Sequence, residues 1–543
     1  MDLNVRLVDS SRGLLSSPAE LNACLNARGL YNSFQFVLRL CPAVHRQLES
    51  LPTGIHASAD SERVQAFSTY LHETIHWWQH VGSTGGLLRS LSYPAQAHAN
   101  YTHLKRFLSA FGLKKSIQTV VERSTERGGF GTPLGIANTI VNNHYDIEFF
   151  RILTSKPELV TSAVKNHFFE SVGHSYMIAY SNMLALLSRS FDREWKLLPD
   201  ARRWEDAFRA RRDHKLKGYY RGSPVMVYPV GLYQIFEGQA RFGQLQYLYF
   251  ASGGKLTWAD IRTRGMLSET YAKAFETFLR LAELGWPSSV DSPTVALLLL
   301  ICDMAINPSA GFPLPLKTFD TFIEDIDPAV RFTFFCRAAA RAPNVASAIV
   351  EYSRDEYFAV SESLSHLLQL DSTELILKTT ADWMKQEQFQ PLMEQYNSWD
   401  FSPENLPVSV LFSHFLAFMK DKLEKPEFFC WPGACMTGAR LVRESVTLFE
   451  RHSALFVDQA DDDGVFPQKH PGIDPSLLQR TFQSFYQFNI IYDMTRQWVA
   501  SKGPFEYDYR WLSSSASKAE MKKFADSGFE RTYGIHPDRC EAL

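Results

Sequence analysis

Apolar positions at the start of the chain recur with a period of two. Leu3, Val5 and Leu7 occupy every second position before Asp9-Ser10-Ser11 closes the run. Gln35–Leu40 repeats the pattern with Phe36, Leu38 and Leu40 on one face, and Gly54–Ser58 offers a third short strand. The period then changes. Val64, Phe67, Leu71, Ile75 and Trp78 recur at three- and four-residue steps, which predicts an amphipathic helix. Asp60 or Ser61 supplies its N-cap, and Gly82, Gly85 and Gly86 its end. From Ser90 to Asp200 the pattern is mostly helical, broken by turns such as Gly128–Gly131.

A further helix is predicted around Leu232, Ile235, Phe236, Ala240 and Phe242, with Pro229 suited to its first turn. Pro293–Leu300 reads as a buried helix ended by the loop Asn307–Pro313, and amphipathic stretches follow near 345–370, 405–423, 438–456 and 476–500. The expected fold class is mainly α (α+β): a small N-terminal β-sheet, helices, and a large helical C-terminal region. The expected division is residues 1–290 and 291–543.

Composition narrows the function classes. The 543 residues are 45% hydrophobic and 21% charged, an ordinary globular balance that argues against disorder. Lys+Arg 56 against Asp+Glu 59 gives a net charge of -3, without the basic excess of a nucleic-acid binder. Arg202–Lys217 is basic but reads as a solvated helix face. Seven cysteines imply no disulfide framework, and Cys430 and Cys435 read as buried thiols. Asp461-Asp462-Asp463-Gly464 fails as a calcium loop, because its first and twelfth positions would be Gln459 and His470. With no secretory signal at the N-terminus and no apolar run long enough to span a bilayer, the expectation is a cytoplasmic protein without membrane contact.

The chemistry concentrates in His72-Glu73-Thr74-Ile75-His76. On a helix, His72 and His76 stand one turn apart on one face, where both imidazoles can bind one zinc ion. Glu73 is turned about 100° away, beside a water on that metal. His80 continues the row, but a straight helix puts it about 12 Å from His72, too far to share an ion. The missing third ligand is sought in Glu237, a carboxylate among apolar neighbours with small Gly238 and Ala240 beside it. The alternatives are a surface glutamate or a pair with Arg241 one turn on. His144 with Tyr145, His174 with Tyr176, and Tyr233 are candidates for steadying an oxyanion.

His72-Glu73-Thr74-Ile75-His76 followed by Phe236-Glu237-Gly238-Gln239-Ala240-Arg241 resembles the gluzincin group of zincin metallopeptidases. The resemblance implies a zincin-like domain with Zn2+ held by His72, His76 and Glu237, and Glu73 as general base. It implies a peptide or protein substrate, and the small sheet could offer an edge strand to it. Two departures accompany it. A long helical insertion separates the motifs, and Arg241 stands where the group often has an aspartate that orients a zinc histidine. The alternative is a binding or regulatory protein on a zincin scaffold with structural or vestigial zinc. In either case the C-terminal helices could serve a regulatory partner.

Overall fold

The computed structural model describes residues 28–49, 61–126, 132–470 and 472–543. The expected strands at Leu3–Leu7 and Gly54–Ser58, the cap Asp60 and the turn Gly128–Gly131 lie outside these residues. The described chain is mainly helical with two small sheets. Among its helices none is long and apolar enough to cross a membrane.

The metal-motif helix α1 runs Ser61–Val81, and every residue from Val64 to Val81 except Tyr70 is buried. Gly82 ends α1 directly after Val81, its N–H bonded to Trp78 O, but Gly85 and Gly86 do not belong to a terminating loop. Ser83 caps the next helix, α2 (Thr84–Phe111), by accepting from Gly86 N, so Gly85 and Gly86 lie in its first turn. A Cβ on Gly86 would meet Gln79 O at 1.8 Å, so the glycine permits this tight corner between two buried helices. α3 (Thr132–Ser155) and α4 (Val172–Phe191) pack against α2.

The helix carrying Glu237 is α5 (Leu232–Ala251), preceded by Gly231 as N-cap, so Pro229 lies outside it. α5 packs along α1. The small residue that permits close approach to α1 is Gly243, whose added Cβ would meet Ile75 Cδ1 at 2.9 Å. Gly238 instead faces Ala274 on α6 (Glu269–Leu281), where the same addition would meet Ala274 Cβ at 2.9 Å. α7 (Pro293–Ile306) is buried from Val295 to Ile306: the apolar run Val295–Ile301 predicts its first part, and Asp303, which breaks the run, is buried in a pair with Lys422.

The larger of two sheets contains four strands: β1 (Gly29–Asn32), β2 (Val37–Leu40), β3 (Phe456–Gln459) and β4 (Asp462–Pro467), in that order; the other pairs Lys114–Lys115 with Glu541–Ala542. Only the first pair of the larger sheet is N-terminal. β2 pairs with β3 in parallel, Val37 opposite Phe456 and Leu38 opposite Val457. The expected strand at Gln35–Leu40 begins two residues late. Asn32 Oδ1 accepts from Phe34 N and Gln35 N, and Phe36 adopts a φ of 58°, so these residues form a turn between β1 and β2. The acidic run at Asp461 belongs to the β3–β4 hairpin.

The halves on either side of residue 290 share both hydrophobic clusters. One joins Leu71, Trp78 and Leu91 to Phe415, Phe449 and Phe485; the other joins Ile235 and Phe242 to Leu298, Phe332 and Trp431. Trp78 Nε1 donates to His452 O at 2.7 Å, which ties the back of α1 directly to the C-terminal region.

Candidate metal centre

His72 and His76 present their Nε2 atoms 3.2 Å apart. Glu237 Oε2 lies 3.7 Å from His72 Nε2 and 3.5 Å from His76 Nε2. Zinc bonds of 2.0–2.1 Å in tetrahedral geometry separate neighbouring donors by about 3.4 Å. The three atoms therefore leave a point about 2 Å from each, and the donor set fits a zinc ion. Without a cation or proton between them, two imidazole lone pairs at this spacing would repel. All three side chains are largely buried, and Glu237 turns to the histidines rather than to solvent.

A hydrogen-bond chain orients His76. Gln79 Nε2 donates to Phe236 O and to Gln239 Oε1, both at 2.9 Å. A carbonyl only accepts, so Gln79 must turn its own Oε1 towards His76 Nδ1, 2.8 Å away. His76 consequently carries its proton on Nδ1 and leaves Nε2 free to bind metal. Gln79 thus links the histidine helix to the helix of Glu237. Its position three residues after His76, on the same helix face, was a readable signal. His72 has no such partner: among the described residues its buried Nδ1 is left without a hydrogen bond.

Glu73 occupies its own niche, with a carboxylate oxygen within 4.8 Å of the donor nitrogens of His72 and His76. Its carboxylate accepts from the backbone N–H of Tyr31 on β1. Directly against it stands Gly29, where an added Cβ would come within 2.6 Å of Glu73 Oε1. No larger residue fits there without moving the carboxylate. Burial pushes the Glu73 pKa up to about 7, opposed by the charge on His76.

The same burial lowers His72 to about 3, so that imidazole is neutral. Burial also opposes a proton on His76, but the Glu237 carboxylate outweighs it and raises His76 to about 9. Glu237, despite burial, is held far below the usual carboxylate range by the two imidazoles. The metal-free site thus keeps one proton on the His72–His76–Glu237 group where a cation would sit.

These groups border a cavity of about 260 Å³, also lined by β1 and by Tyr233, Arg241 and Tyr271. Tyr233 is hydrogen-bonded to Glu237. Arg241, the other partner considered for Glu237, borders the same cavity. It is fully buried, stacks 3.9 Å from the Tyr271 ring centre and donates to Gln244, which in turn donates to Ser68 Oγ at 3.1 Å. His80 is buried between Tyr31 and Phe236, with ring centroids 5.3 and 5.1 Å away, and is not among the three donors.

Four sequence-predicted oxyanion groups do not line this cavity. Tyr176 donates to the buried Asp327, and Tyr145 donates to Gln118 at 3.0 Å. His174 pairs with Asp146 at 3.2 Å in a separate cleft. His144 is buried against Tyr145. Their local sequence could not reveal this, because α3 and α4 turn these side chains to one another and to other helices. Of the other groups on the cavity wall, Tyr271 lies in a segment with no motif of its own, whereas Arg241 ends the second motif.

Compared with protein-family models, curated proteins and solved structures, the chain matches none.

Proposed function

We propose that the chain is a zinc-dependent peptidase of gluzincin type, with His72, His76 and Glu237 as the metal ligands and Glu73 as the general base. The observation that carries this reading is the triangle of His72 Nε2, His76 Nε2 and Glu237 Oε2, with edges of 3.2, 3.7 and 3.5 Å. A zinc ion held there supplies Lewis acidity, lowering the pKa of a water towards about 7 and polarising a carbonyl.

The remaining work falls to the chain itself. Glu73 takes a proton from the attacking water and delivers it to the leaving amine. The Tyr31 N–H and the absence of a side chain at Gly29 keep the carboxylate in one place. Tyr271, on the cavity wall with its ring 5.9 Å from that of His72, is assigned to donate to the carbonyl oxygen as it gains charge. Among the described residues β1 lies at the edge of its sheet and borders the cavity, so an extended substrate backbone can pair with it.

Three donors beside a cavity favour catalysis over a purely structural site, which would close zinc with four protein ligands. The test is the variant Glu73→Gln in the full chain loaded with zinc. It should retain one zinc per chain and lose hydrolysis of a peptide library that the wild type cleaves. Undiminished cleavage would refute the assignment of the base.

A further inference from the structure

One part of the cavity wall has no role in the chemistry above. Arg89, on α2, lines the cavity together with Lys156, Ser33 and Ser155. Its Nη1 donates to Ser155 Oγ at 2.6 Å and to Arg151 O at 3.3 Å, and Arg151 Nη1 returns a bond to Arg89 O at 3.0 Å. This reciprocal latch fixes the guanidinium through neutral acceptors alone. Among the described residues no carboxylate lies within ion-pairing distance of Arg89. Glu148, whose field reaches it, is itself engaged by Arg496 at 3.3 Å and by the Tyr93 hydroxyl at 3.1 Å.

A rigid, half-buried guanidinium without a counter-ion is costly, because desolvation is not offset by a partner. Burial and the neighbouring Arg151 lower the Arg89 pKa to about 9, which still leaves it charged at neutral pH. Among the described residues, the carboxylates lining the cavity are Glu73 and Glu237, one assigned as base and the other as ligand. Arg28, Lys156 and Arg241 add to the cationic lining, although the whole chain has a net charge of -3. The local field therefore draws an anion towards the site.

We propose that Arg89, with Lys156 at its side, receives a carboxylate of the substrate, so that the enzyme acts on peptides bearing a negative charge close to the scissile bond. A carboxylate suits the planar fork of a guanidinium and supplies the counter-ion that Arg89 lacks among the described residues. The charge could come from an Asp or Glu side chain or from the peptide's own C-terminus. The proposal rests on the reading of the site as a zinc peptidase.

The test separates the two claims. Zinc-loaded full-length protein is titrated calorimetrically with mercaptoacetate, 3-mercaptopropionate and 4-mercaptobutyrate, each beside its amide. The thiol reports the metal, and the ratio of acid to amide reports the carboxylate subsite. At least one acid should bind about tenfold or more tightly than its amide, the scale of a charge-assisted hydrogen bond. In Arg89→Gln that ratio should fall to about one, with Arg89→Lys in between. Acid and amide binding alike to the wild type would overturn the carboxylate subsite and leave the metal reading standing. If neither binds, the metal reading fails and the subsite falls with it. Hydrolysis of matched peptides identifies the source: Glu against Gln beside the scissile bond for a side chain, free against amidated ends for a terminus. A preference in neither set would also overturn the proposal.

Discussion

Gln79 Oε1 lies 2.8 Å from His76 Nδ1, while the amide nitrogen of the same side chain bonds to Phe236 O and Gln239 Oε1 on the facing helix. One side chain thus sets the tautomer of a proposed metal ligand and the docking of the helix that brings Glu237. Removing it should loosen both. Gln79→Ala is expected to weaken zinc binding about 10–100-fold, the usual cost of losing an outer-shell partner. Competition with a chromophoric chelator measures this directly.

Gly29 and Glu73 make an equally sharp prediction. Because a Cβ at residue 29 would come within 2.6 Å of Glu73 Oε1, Gly29→Ala should displace the proposed base without touching the proposed metal donors. The expected result is wild-type zinc content with a fall in kcat of at least about tenfold, within the range a general base contributes. A wild-type kcat in a folded, zinc-loaded variant would show that the niche does not hold the base.

Proton release on metal binding follows from the electrostatics. Since Glu237 raises His76 to about 9, that ring is protonated at pH 7 in the metal-free site, and zinc must expel the proton. Apparent zinc affinity should therefore climb about tenfold per pH unit up to about pH 9 and then level. Calorimetry in buffers of different ionisation enthalpy should find about one proton released from this group at pH 7.

Glu73 has the opposite linkage to an ordinary paired carboxylate. Its folded pKa, about 7, is above its unfolded value near 4.5, so burying the charge costs stability above about pH 7 and nothing below about pH 4.5. In metal-free protein, Glu73→Gln should raise stability on the order of 1–3 kcal/mol at pH 8 and much less at pH 5. Thermal unfolding at the two pH values tests the sign.

The legible parts of this molecule were those written locally. The stripe from Val64 to Trp78 specified α1, and the four-residue spacing of His72 and His76 put both rings on one face. Glu237 stood out because a carboxylate in an apolar helix needs a partner. What local sequence could not carry was pairing over long distances. β2 finds its parallel neighbour in Phe456–Gln459, beyond the reach of any periodicity, so a sheet expected to be N-terminal is half C-terminal. Of the oxyanion candidates Tyr233 does line the cavity, whereas Tyr176 and His174 have the right chemistry but are committed, for the same reason, to Asp327 and Asp146. Gln79 stands three residues after His76, but its meaning depends on Phe236 and Gln239 of another helix, which no local pattern reveals.

The most direct measurement is anomalous scattering at the zinc edge from crystals of the full-length protein loaded with zinc. The account predicts one strong peak about 2.0–2.2 Å from His72 Nε2, His76 Nε2 and a Glu237 carboxylate oxygen, with Glu73 off the metal. No peak among these atoms, or a peak coordinated by Glu73 in place of Glu237, would contradict it.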